Sequence, residues 1–308
     1  MPELTIPPTL LDTRGRDEEG RGWLASLPDQ IDRYAGEWDL RQTGVPMAGM
    51  GSLVVPVERA DGVPAMLKLQ PVDDETVGEA VGLRIWNGDG SVRLLDEDPA
   101  TGALLLEALD ASRDLLVLDD EEALDIVTGL LARLTSAPAP PGLRRLSDIA
   151  GQMLADVPAA LPALADPDER ALVAAGAAAV AELVGESGDR LLHWDLHYQN
   201  VLAPLPGSGR EAWLAIDPKP LAGDVGFDLL PALSNRWEEM VATGDPAKAA
   251  LRRFDRMTDG LGLDRDRAAG WTLGRVLQDA LWNVEDGFDR IDPERRIIGQ
   301  AILDHRHG

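Results

Sequence analysis

The spacing of apolar and polar positions divides the chain into a mixed first third and a mainly helical remainder. From Trp23 to Asp39, the residues Trp23, Leu24, Leu27, Ile31, Tyr34 and Trp38 recur at helical spacing, with Pro28 expected to break or restart the helix. Residues 1–22 read as a loose lead-in. Two β-rich runs follow, Ser52–Glu58 and Pro64–Gln70, around the turn Ala60-Asp61-Gly62; Asp-Gly between such runs signals a hairpin. Residues 73–86 predict a helix burying Val77, Val81, Leu83 and Ile85, and Val92–Asp96 and Ala103–Leu109 predict two more strands. Beyond Leu109 the period lengthens. Asp119–Leu134 has an acidic start and then Leu124, Val127, Leu131 and Leu134 on one helical face. Residues 147–163 and 167–185 predict alanine-rich helices, the second with Gly176 on its apolar face, where a neighbour could approach closely. Three short apolar pieces, Arg190–His193, Asn200–Leu202 and Trp213–Ile216, predict strands, and helix dominates from about residue 227.

This order predicts an α+β fold in two parts, a β-rich part over 1–106 and a mainly helical part over 107–308, with the change near Glu107–Asp114. The length of 308 residues suits two such parts. No apolar run of about 18 residues occurs, so no transmembrane helix and no membrane partner are expected. The first twenty residues lack the pattern of a secretory signal, which points to the cytoplasm. The absence of cysteine excludes disulfides, thiolate metal sites and cysteine catalysis. A formal net charge of −25, without a basic cluster, argues against nucleic acid as a partner and suits either solubility or attraction of a cationic small molecule. With only three lysines, Lys68, Lys219 and Lys248, a lysine inside an apolar strand is conspicuous.

The densest chemistry lies in LLHWDLHYQNVLA, residues 191–203, and in AWLAIDPKP shortly after. Phosphoryl transfer from ATP needs a carboxylate to accept the proton of the attacking hydroxyl, oxygen ligands for Mg²⁺, and a cation on the phosphates. Asp195 suits the first task. Asn200, five residues on, and Asp217, at the end of the next strand, suit the second; Asp-x4-Asn is the spacing of a kinase catalytic loop. Lys68, in the strand AMLKL, suits the third. It needs a buried partner, which Glu79 on the following helix, or Glu75 one turn earlier, can supply. The loop Met47–Ser52 could cover phosphates through backbone N–H groups and Ser52, although it is an incomplete glycine-rich signature. The two-part layout is then that of a protein-kinase-like bilobal fold, with an N-lobe, a C-lobe and the nucleotide between them.

The segments SLVVPVERADGVPAMLKL, GEAVGLRIWNGDGSVRLL, ALLLEAL, LLHWDLHYQNVL, WLAIDPKPLAGDVGFDLL and ALWNVEDG resemble the aminoglycoside and hydroxyurea phosphotransferase family, in particular its streptomycin 6-kinase branch. They run in family order from about residue 23 to 290. The resemblance implies a kinase-like fold, transfer of the ATP γ-phosphoryl group to a hydroxyl, and adenine contact by the backbone at Glu107–Leu109. The family usually has glycine where Trp194 stands beside the candidate base, so Trp194 is expected to alter the acceptor pocket or the loop path, or simply to pack. Glu285 and Asp286 could meet a cationic acceptor or form a solvated helix end. Asp224 and Asp228 are expected to brace the catalytic loop, and Trp271 and Trp282 to be core or pocket wall.

Two other classes compete. His193, Asp195 and His197 alternate and could hold Zn²⁺ in a hydrolase, but that leaves Lys68, Glu79, Asn200 and Asp217 idle; both histidines read more readily as structural. A kinase-like binding module without turnover has only the missing glycine at 194 in its favour. Within the kinase reading the acceptor is streptomycin-like, with glucosamine-type amino sugars, hydroxyurea or another metabolite as alternatives.

Overall fold

The computed structural model describes residues 6–306, which fall into two compact units. One takes the chain up to Ala111 together with Ala203–Leu214; the other takes Ser112–Leu202 and the chain from Ala215 on.

The first unit opens with two helices, α1 (Pro8–Arg14) and α2 (Glu18–Glu37), so the described part of the expected loose lead-in is largely helical. Local signals explain the start of α2. The Asp17 carboxylate accepts from Gly20 N–H at 2.7 Å, and Glu18 and Glu19 place negative charge on the first turn. Nor does Pro28 break α2. Leu24, Leu27, Ile31 and Tyr34 are buried on both sides of it, and each contributes about 1.5–3 kcal/mol of burial against roughly 3 kcal/mol for an interior proline.

These helices cover one face of an antiparallel sheet made of β1 (Leu40–Gln42), β2 (Met47–Ala48), β3 (Leu53–Arg59), β4 (Pro64–Leu69), β5 (Leu94–Asp98) and β6 (Ala103–Glu107), in the order β1-β3-β4-β6-β5 with β2 paired to β3. Leu53, Val55 and Val57 of β3 alternate into the core with Ala65, Leu67 and Leu69 of β4. The two-residue period then turns Lys68 to the opposite face. Helix α3 (Glu79–Trp86) follows. It is shorter than the expected 73–86 because the Asp73 carboxylate accepts from both Glu75 and Thr76 N–H, a local turn that competes with helix. Leu83 is buried as expected, but Val77 and Ile85, also expected inside, are exposed, and Glu79 and Trp86 are buried instead.

The chain leaves the first unit inside β7 (Leu109–Asp114). In the second unit α4 (Asp120–Leu134) is capped by Asp119, whose carboxylate accepts from Glu122 N–H at 3.0 Å. Next come α5 (Leu146–Ala160), α6 (Pro167–Leu183) and the short strand β8 (Arg190–Leu192); the chain passes to the first unit within β9 (Val201–Pro204), returns within β10 (Leu214–Ala215) and continues into β11 (Leu221–Gly223). β8 pairs antiparallel with β11, Leu192 opposite Leu221. The remainder is α7 (Leu230–Leu233), α8 (Trp237–Ala242), α9 (Pro246–Leu261), α10 (Arg265–Glu285) and α11 (Pro293–Asp304). At Gly176 of α6 a Cβ would lie 3.2 Å from the Leu273 carbonyl oxygen and 3.3 Å from Leu277 Cβ; glycine permits this close approach of α10. Trp271 is core, its ring edge-on to Phe227 at 6.1 Å. Among the described residues no helix is long and apolar enough to cross a membrane.

Candidate active site

In the first unit Lys68 reaches Glu79. Its Nζ donates to both carboxylate oxygens at 2.7 Å, and Gln70 Nε2 donates to the same carboxylate at 2.7 Å. All three side chains are buried. A buried ammonium is tolerable only with such a partner, and the register that sets Lys68 opposite Val54 and Leu104 keeps it on the α3 face. Glu75, the alternative partner, lies in the turn closed by Asp73. Residues 49–52 form the tight turn between β2 and β3, closed by Gly49 N–H to the Ser52 carbonyl at 2.9 Å, with Ser52 buried. Leu109 is buried, and the Glu107 carboxylate accepts from Arg93 N–H at 2.8 Å and faces the Arg210 guanidinium at 3.2 Å.

The second unit brings Asp195, Asn200 and Asp217 together. His193, directly after β8, is fully buried; its N–H donates to Asp228 at 2.9 Å and its carbonyl accepts from Lys219 N–H at 3.0 Å. The imidazole Nε2 lies 3.1 Å from the Ile216 carbonyl, which can only accept, so Nε2 carries the proton and Nδ1 is left to accept from Asp195 N–H at 3.4 Å. Burial holds the ring neutral, its pKa lowered to about 3. His193 therefore fastens the loop at both edges. Asn200 Nδ2 donates to the Asp195 carbonyl at 2.9 Å, and the Asn200 carbonyl accepts from Ile216 N–H at 2.9 Å, which sets Asp217 beside the loop. Burial raises the pKa of Asp195, opposed by His197 and Lys219; burial lowers that of His197, opposed by Asp195. The oxygens of Asp217 and of the Asn200 amide form a hard donor set that fits Mg²⁺, a cation that commonly takes one or two protein oxygens plus phosphates and water. No group of three or more His, Cys, Asp or Glu side chains arranged for a metal occurs among the described residues, which weighs against the zinc-hydrolase alternative.

Asp228 accepts from the N–H groups of His193 and Trp194; burial pushes its pKa up to about 7 against those hydrogen bonds. Asp224 instead caps the turn after β11 through Gly226 N–H at 2.9 Å and pairs with Arg267 at 2.7 Å.

Trp194 has φ +68°, in the left-handed region, where glycine costs least. The family's usual glycine has a conformational reason, and here a large ring takes its place. Arg144 lies over that ring at 4.5 Å and Arg275 at 5.0 Å, and Trp282 meets it edge-on at 5.9 Å. The ring is buried, with all these partners in the second unit. Glu285 and Asp286 are exposed at the C-terminal end of α10, about one turn beyond Trp282.

Sequence reasoning passed over Lys219. Its Nζ lies 3.4 Å from Asp217 and 3.9 Å from Asp195. Its signal was present: one of three lysines, held between Pro218 and Pro220, two residues past a candidate metal ligand.

Comparison with known proteins agrees with this chemistry. The family model described as aminoglycoside/hydroxyurea antibiotic resistance kinase matches residues 37–287. The chain is 54% identical to a streptomycin 6-kinase of Streptomyces glaucescens over 98% of both chains. It is 51% identical to a hydroxyurea phosphotransferase of Kitasatospora aureofaciens over 98% of this chain and 87% of that one. In fold it is similar to a thermostable mutant of the aminoglycoside phosphotransferase APH(4)-Ia in a ternary complex with ADP and hygromycin B, at TM-score 0.58 and 14% identity, covering 90% of this chain and 98% of that one. The protein-kinase-like α+β fold expected from the element order is thus the fold of this chain. It is a phosphotransferase, and it belongs to the aminoglycoside/hydroxyurea antibiotic resistance kinases.

Proposed function

We propose that this kinase transfers the γ-phosphoryl group of ATP to a hydroxyl of streptomycin or a closely similar aminoglycoside, with Asp195 as the general base. The observation behind this reading is the tie of Asp195, Asn200 and Asp217 into one cluster by the Asn200–Asp195 and Ile216–Asn200 hydrogen bonds. Asp195 takes the acceptor's proton. Asn200 and Asp217 hold Mg²⁺, which neutralises phosphate charge when bound. In the first unit Lys68, fixed by Glu79, orients the α- and β-phosphates, Ser52 and its turn cover them, and the backbone at Glu107 and Leu109 meets adenine. We assign nucleotide covering to residues 1–106 and proton transfer, metal and acceptor to 107–308.

A cationic acceptor suits the net charge of −25 and the exposed Glu285 and Asp286. Trp194 acts on the acceptor indirectly, through Trp282. Supply of ATP places the work in the cytoplasm. Hydroxyurea is the second reading, favoured by the 51% identical relative. The test is mass-spectrometric detection of phosphorylated product with MgATP and streptomycin, other aminoglycosides, glucosamine or hydroxyurea, with Asp195→Ala as control. Phosphostreptomycin formed by wild type alone is the expected result; product from hydroxyurea alone would move the assignment to the second reading.

A further inference from the structure

We propose that Lys219 is a further catalytic residue, one that contacts the phosphoryl group in transit. The inference deepens the kinase reading above and rests on it.

Three observations carry it. First, Lys219 Nζ stands between the two carboxylates that bound the reaction, 3.9 Å from Asp195 and 3.4 Å from Asp217. In transfer the acceptor oxygen must sit within hydrogen-bond reach of Asp195, and the leaving side of the phosphates lies with the metal oxygens of Asp217. The phosphorus passes from one to the other. A cation within 4 Å of both ends is therefore within reach of the equatorial oxygens that carry the charge at mid-transfer. Second, the position of Lys219 is built. Its N–H is held by the His193 carbonyl at 3.0 Å, prolines fix φ on either side, and Leu221 beyond them pairs with Leu192 of the catalytic strand. Third, the side chain is 22% exposed, and an ammonium has three donors. Asp217 takes one at a long 3.4 Å, so the head retains donor capacity toward the open side.

The step balances with no proton gained or lost by Lys219. The acceptor oxygen–phosphorus bond forms, the bond from the γ-phosphorus to the bridging oxygen breaks, ADP leaves with that oxygen, and the acceptor's proton passes to Asp195. Lys219 supplies charge and N–H donors where the three equatorial oxygens spread. It makes stronger contacts there than to MgATP in the ground state, because in the ground state Asp217 still shares it. Such an interaction acts on kcat and leaves nucleotide affinity alone.

The test uses the full chain with Lys219→Met and Lys219→Arg. Three quantities are read for each: kcat for transfer to streptomycin, calorimetric affinity for MgATP, and affinity for the transition-state mimic MgADP–aluminium fluoride. Lys219→Met should lose about 10²-fold or more in kcat, lose affinity for the mimic in parallel, and keep MgATP affinity within about threefold or gain some, since Asp217 is released. Lys219→Arg should recover part of the loss in both rate and mimic affinity. An unchanged kcat, or equal weakening of MgATP and the mimic, would overturn the proposal. The thermal midpoint monitors folding; if the Met variant does not fold, Lys219→Gln and Lys219→Arg decide on the same three readings. If wild type phosphorylates no acceptor, the acceptor assignment fails, while binding of the mimic still tests the lysine because it needs no acceptor.

Discussion

Lys68 and Lys219 place the same side chain in two different states. Lys68 is buried with both carboxylate oxygens of Glu79 at 2.7 Å and Gln70 completing the set. Lys219 stands partly open between two carboxylates at 3.4 and 3.9 Å, satisfied fully by neither. The first geometry fixes a charge in place. A buried pair of this kind contributes little net stability, yet it is costly to break, so it serves as an immobile fitting. The second leaves a charge able to answer a ligand. Lysine is well suited to that, because its head is a compact point charge on a flexible stem, where arginine would form a rigid fork.

The largest effect should come from the proposed base beside the open lysine. Asp195→Ala should cost about 10³-fold in kcat, about 4 kcal/mol of barrier, with MgATP affinity nearly intact by calorimetry; equal transfer rates would remove Asp195 from its role. Next, Glu79→Ala should cost about 3 kcal/mol or more of unfolding free energy in denaturant titration, because it strands a buried ammonium. A change below about 1 kcal/mol would show Lys68 to be freer than its geometry implies. Trp194→Gly relieves about 1–3 kcal/mol of left-handed strain but removes a buried ring worth about 3–5 kcal/mol, a net loss of roughly 2 kcal/mol. A stabilised variant would mean that strain outweighs the packing of Arg144, Arg275 and Trp282. The matching deletion beside Lys219, Asp217→Ala, should shift stability by less than about 1 kcal/mol because the lysine head can reach water, while Mg²⁺-dependent nucleotide binding is lost. The mildest change is in pH dependence. As the proposed base, Asp195 must be ionised to accept a proton, and burial raises its pKa. The acid limb of kcat/KM should therefore lie above the ordinary carboxylate range near about 4; full activity at lower pH would contradict it.

Much of this was legible in the sequence because the signals are local. Asp119 before an acidic first turn, Asp-Gly between two β-rich runs and Asp-x4-Asn each specify a structure within a few residues. What escaped depends on tertiary context. Pro28 reads as a break until the burial of Leu27 and Ile31 is weighed against it. Val77 reads as a helix face until the Asp73 turn competes for the same backbone. Lys219 looked ordinary because its partner Asp195 comes from the loop after β8, far back in the sequence. Trp194 was conspicuous as a departure, but its left-handed φ, and with it the reason for the family's glycine, appears only in three dimensions.

The segment Ala203–Leu214 folds with the first unit although it is encoded about ninety residues after the rest of it. There Arg210 donates to the carbonyls of Gly88 and Ser91 and faces Glu107, while Glu211 accepts from Gly90 N–H. The first unit is therefore not a contiguous cassette of the gene. A chimera that exchanges only the residues up to 111 with a relative would set a foreign strand turn against the old Arg210. Exchange of the first stretch alone should succeed only where donor and host already agree at Glu107 and Arg210; elsewhere the two stretches of coding sequence must travel together.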